Sequence, residues 1–271
     1  MVIPQYLRSF QQKEFVYTFL IDFLFWGIAF GSFSYAGNLI KNMMAQFTQG
    51  KTLEEFQTML TNLPPEQLLA LAEQMKTVMY STFFIALFLI VGIFLLYSLS
   101  QKLIWDYLLN KKTKYWKWNS LNLAIVLTGT VYLLAAGIIS IILRMLFQRL
   151  TVIVLGARFY DSLEAINLLF GNIINLFFGI GFLFFVFFTY QHFAQTNKVW
   201  FSIGDAYIKI KKYLKQFFTV LGLSLATIII ITFISLGIQK LIPSTVISFV
   251  LSIALLAWLR MYVFTHGNKL R

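Results

Sequence analysis

The chain has 271 residues, of which 59% are hydrophobic and 12% charged, with mean hydropathy +0.77 and a formal charge of +12. A soluble domain carries about 25% charged residues, so this chain has too little polar surface to cover a water-soluble body, and its apolar side chains must face lipid. It contains no Cys, which excludes disulfides, zinc–thiolate sites, thiol nucleophiles and iron–sulfur clusters.

The first apolar stretch, Phe15–Ile40, is far longer than the core of a cleavable signal and has no cleavage-like end. It predicts a retained membrane span. Asp22 lies about 10 Å from the start of that span at 1.5 Å per residue. A carboxylate at that depth is costly unless it is neutral, paired or in a wet crevice. Further along, Gly27, Gly31, Ser34 and Asn38 share one stripe, the small-residue pattern that lets a neighbouring helix approach closely.

Residues 42–77 form the one long segment between spans. Ala45 to Thr52 fits a loose phosphate-loop pattern, but a span precedes it where that mechanism needs a strand. Gly50 more simply ends one helix, and Thr52 caps the next. Thr52 and Glu55 have the spacing of a capping box. Leu53, Phe56, Met59, Leu60 and Leu63 then mark one helical face. Pro64 and Pro65 break the chain and start a second helix. Its apolar positions Leu68, Leu71, Met75 and Met79 run into the second span, Val78–Leu99. The expectation is a short amphipathic helical hairpin over the outer face.

Span two leads to Tyr107-Leu-Leu-Asn-Lys111-Lys112, and span four to Tyr207-Ile-Lys-Ile-Lys211-Lys212, with Asp106 and Asp205 just upstream. Tandem duplication and coincidence both explain this likeness. Lys111, Lys112, Lys114, Lys211, Lys212 and Lys215 are candidate contacts for anionic lipid or for a partner protein. Trp105, Trp116, Trp118 and Trp200 read as interfacial anchors on the same side.

Span three is Leu121–Leu143, with Arg144 expected to snorkel at its outer end, on the face opposite Asp22. Span four is Leu168–Tyr190. It carries Asn167, Asn172 and Asn175, and Gly171, Asn175 and Gly179 lie on one face. Two readings fit: plain helix packing, or a polar path lined by Asp22, Asn172 and Asn175. Spans five and six are Phe217–Ile238 and Val246–Phe264. The sixth carries a Ser244, Ser248, Ser252 stripe, and its Arg260 is expected to snorkel to headgroups. His192 and His266 lie at span ends. No His-Glu-x-x-His run or nucleophile turn accompanies them, so no metal, cofactor or catalytic residue is assigned.

The expected fold is therefore all-α: a single transmembrane domain, 1–271, of about six spans with an outer helical hairpin. Roughly twice as many Lys and Arg fall on one set of loops as on the other, which places both termini in the cytoplasm of a multi-pass cell-membrane protein. The basic excess suits anionic headgroups better than nucleic acid. The expected function is a non-enzymatic membrane component acting through partner proteins or lipids. The alternative is a permease or conduit for a small solute, ion or lipid.

Overall fold

A computed structural model describes residues 13–155, 160–212 and 244–267, with short pieces between 218 and 230. Its described elements are all helices: α1 (Lys13–Phe47), α2 (Leu53–Asn62), α3 (Pro65–Leu109), α4 (Tyr115–Leu155), α5 (Tyr160–Thr196), α6 (Val199–Lys212) and α7 (Ser244–Gly267). Lipid offers no partner to an open backbone, so a segment crossing it must satisfy its own hydrogen bonds, as a helix does. Within the described residues α1, α3, α4 and α5 are each long and apolar enough to cross a membrane, and α7 contributes a shorter apolar stretch, Phe249–Thr265. The chain is thus a membrane-embedded helical protein. Most of the fifth expected span, Phe217–Ile238, lies outside the described residues.

The chain groups into two compact units, residues 23–100 and residues 1–22 with 101–271. In the first, α1 ends where Gln49 and Gly50 take left-handed backbone, with φ of 53° and 73°. The Gly50 N–H donates to the Ala45 carbonyl at 2.8 Å, a closure that satisfies an orphan carbonyl at the helix end. Thr52 then caps α2 in full. Its hydroxyl accepts from the Glu55 N–H at 3.3 Å, and its own N–H donates to Glu55 Oε2 at 2.9 Å. Leu63 is extended and Pro65 opens α3, which runs unbroken to Leu109. Phe47 of α1 meets Phe56 of α2 at 5.3 Å, and Phe25 of α1 meets Tyr97 of α3 at 5.4 Å.

The buried face of α1 in this unit holds Phe25, Ala29 and Ala36. The expected contact stripe is elsewhere: Gly27, Gly31, Ser34 and Asn38 are exposed, and a Cβ at either glycine meets nothing within 4 Å. Small residues permit close approach but do not compel it. Large apolar side chains such as Tyr35, Phe83, Phe84 and Phe88 are exposed along α1 and α3, as suits helices whose solvent is hydrocarbon.

The second unit is organised around α5, which packs against α4, α6 and α7, while α6 also touches α4. The first ten residues of α1 and the last nine of α3 belong to it. Tyr17 and Tyr107 join those two stretches with ring centroids 3.9 Å apart.

Candidate functional site

Three polar arrangements stand out in the α5-centred unit. The first is a buried charge cluster. Arg260 of α7 and Asp22 of α1 are 0% and 1% exposed. Arg260 Nη1 donates to Asp22 Oδ2 at 2.5 Å, and Nη2 donates to Asp22 Oδ1 at 3.2 Å. Nη2 also donates to Gln101 Oε1 of α3 at 3.2 Å. The guanidinium sits 5.1 Å from the ring centroid of Phe187 on α5, where the ring's negative face attracts a cation. Four helices thus converge on one guanidinium. The planar fork of Arg suits a carboxylate bidentately, which a lysine could not reproduce.

This arrangement overturns the expectation that Arg260 snorkels to headgroups. Its head turns inward because a buried carboxylate is waiting there, and their mutual attraction and hydrogen bonds offset part of the cost of burying both charges. Asp22 is paired, which is one of the three states its depth allowed. The sequence signal that could have joined them is that α1 and α7 each carry one intramembrane charge, of opposite sign.

The second arrangement is an aromatic and polar junction of α3, α4 and α5. Tyr190 Oη donates to Asn122 Oδ1 at 2.6 Å, and both residues are buried. Trp118 and Trp105 pack on Tyr190 with ring centroids at 5.5 and 6.5 Å, and Phe193 closes on Trp118 at 5.0 Å. Trp118 Nε1 donates to Thr113 Oγ1 at 2.6 Å, and that hydroxyl donates to Asp106 Oδ1 at 2.6 Å. Asp106 also takes Lys102 Nζ at 2.7 Å. Trp105 and Trp118 are therefore core residues, each 0% exposed, whereas Trp116 and Trp200 are 74% and 69% exposed. Only the second pair has the exposure of interfacial anchors.

The third is a basic rim where α3, α4, α5 and α6 meet. Asn110 and Asn197 take left-handed backbone after α3 and α5, with φ of 49° and 60°, the conformation that commonly closes a helix. Lys111 Nζ donates to the Gln195 carbonyl at 3.2 Å, and Lys117 Nζ to the Asn197 carbonyl at 3.3 Å. Cations at that end also suit the helix dipole. So the α3–α4 loop and the α5–α6 turn, distant in sequence, are pinned together. Lys112, Lys114, Lys211 and Lys212 are exposed, and Lys215 lies outside the described residues. The two Tyr-x3-Lys-Lys segments differ locally: Lys111 and Lys112 lie in a loop, while Lys211 and Lys212 are the last turn of α6. Their acids differ too. Asp106 tethers the loop, and Asp205 pairs with Lys209 at 3.1 Å, with His192 Nε2 3.4 Å away.

The proposed polar lining is not brought together. Asn175 Oδ1 accepts from Ser140 of α4 at 3.0 Å, and Asn172 is exposed. Asp22 sits with Arg260 at the level of Phe187, about 18 Å along α5 from Asn175 at the helical rise. Arg144 lies against α5, its guanidinium over Gly171, where an added Cβ would collide with it. The side chains of Ser244, Ser248 and His266 lie outside the described residues.

Comparison with family models, curated proteins and solved structures finds no match for the chain.

Proposed function

We propose that the chain is a multi-pass component of the cell membrane that works through partner proteins or lipids rather than by catalysis. In this reading it crosses the bilayer six times, with the α2 region as a helical cover on the outer face and both termini in the cytoplasm. The carrying observation is how its polar groups are used. The buried charges Asp22 and Arg260 are engaged with each other, and Asn122 and Asn175 have partners on neighbouring helices. The lysines of the α3–α4 loop and of the end of α6, by contrast, are exposed at the protein surface. A conduit would instead need Asp22 and Asn175 in one wet lining.

The test is purification of the intact chain from native membranes in mild detergent, followed by mass spectrometry of what accompanies it. A stoichiometric protein partner, or a tightly held lipid, is the expected result. A chain recovered alone that moves a solute across vesicle membranes would overturn the reading in favour of a conduit.

A further inference from the structure

We infer that the α3–α4 loop and α6 form one docking surface for anionic phospholipid headgroups, with α6 lying in the plane of the bilayer surface. This rests on the membrane-component reading and names the partner of its basic surface. Helix α6 carries Asp205, Lys209, Lys211 and Lys212 within Val199–Lys212, more charge than a membrane-spanning stretch of that length tolerates. Its buried residues Ser202 and Ala206 lie on the side that packs into the protein. The opposite side exposes Trp200, Phe201, Tyr207 and Ile208, followed by Lys211 and Lys212. Large apolar and aromatic residues bordered by lysine are the composition of a helix seated at a headgroup layer.

The neighbouring loop supplies the same chemistry. Trp116 is among the most exposed large side chains, and Lys112, Lys114 and Lys117 are exposed around it. The Lys111 and Lys117 contacts to the end of α5 make the loop and α6 one continuous surface. Its charge is one-sided. Asp106 and Asp205, two acids beside it, lie against Lys102 and Lys209 at 2.7 and 3.1 Å. Asp161 and Glu164 belong to the opposite end of α5. A bilayer fits better than a soluble acidic protein because α3 ends, α4 begins and α5 ends at this surface. All three are long and apolar enough to cross a membrane, so their ends bring the rim to headgroup level.

The test uses the purified full chain. Phosphatidylglycerol and phosphatidylcholine are compared for retention by native mass spectrometry, with wild type beside K211A/K212A and K112A/K114A. Each lysine near an anionic surface is worth about fivefold in affinity, so each pair should lower the phosphatidylglycerol preference by about 25-fold, while the matching Lys→Arg pairs keep it. A fluorophore on Ile208→Cys, unique in a chain without cysteine, should be quenched by a nitroxide at headgroup depth in vesicles. Equal retention of the two lipids by wild type would overturn the inference. So would a preference indifferent to the lysines, or a fluorophore open to water. Capture of an acidic protein through the same lysines, with no lipid preference, would overturn it while leaving the membrane-component reading intact.

Discussion

Arg260 and Asp22 are 238 residues apart in sequence, and their side chains close on each other through two hydrogen bonds. Removing one partner leaves the other charge buried and uncompensated, which costs about 3–5 kcal/mol in protein interiors. Asp22→Asn and Arg260→Gln should each lower the detergent melting temperature sharply. The double variant Asp22→Asn/Arg260→Gln should recover part of the loss, because two neutral amides can hydrogen-bond where a lone charge cannot. A double-mutant cycle read by thermal unfolding measures this, and strict additivity would show that the contact carries no energy.

Tyr190 makes a smaller but similar case. Tyr190→Phe keeps the ring against Trp118 and Trp105 and removes the donor to Asn122. Loss of a donor to a buried acceptor costs about 1–3 kcal/mol. The expected outcome is a modest fall in melting temperature, with Trp fluorescence largely preserved because the aromatic packing stays. Tyr190→Leu should change both.

The cap of α2 makes a pH prediction. The Thr52 backbone N–H, and then its hydroxyl, hold the Glu55 carboxyl below the ordinary glutamate range. A native pKa below the unfolded one stabilises α2 fully above the unfolded value and loses that contribution as pH falls through the native value. Corrected for its intrinsic pH dependence, amide exchange of Thr52 should therefore be slow at neutral pH and accelerate on acidification. In Glu55→Gln the exchange rate, corrected for its intrinsic pH dependence, should no longer respond to pH. Thr52→Ala should loosen α2 by about 1 kcal/mol.

Orientation is open to a direct chemical assay because the chain has no cysteine. With both termini cytoplasmic, a single Cys at Lys51 should react with an impermeant thiol reagent on intact cells. A Cys at Lys112 should react only after permeabilisation. The reverse pattern would invert the proposed topology.

What the sequence made legible follows from the range of the interactions involved. Thr52, Glu55, Pro64 and Pro65 act on backbone within a few residues, so the cap and break of α2 could be read directly. Asp22 stood out for its chemistry, yet its partner did not, because judging Arg260 by its nearness to a span end ignores what packs around it. Hydropathy reads the buried Trp105 and Trp118 as interfacial anchors for a related reason. In a membrane, the lipid side and the packed side of a helix are both apolar, so hydropathy cannot tell which residues meet a neighbour. The same ambiguity let Gly27 and Gly31 suggest a contact that Phe25, Ala29 and Ala36 make instead.

The Arg260–Asp22 pair also sets an order of events during synthesis. A ribosome adds about 5–20 residues per second, so Asp22 is made roughly ten to fifty seconds before the arginine that neutralises it. Until then Asp22 lacks the guanidinium that holds it in the finished chain. Completion of α7 supplies Arg260 and joins α7 to α1. A chain interrupted between them would bury that acid without its partner, or not bury it at all.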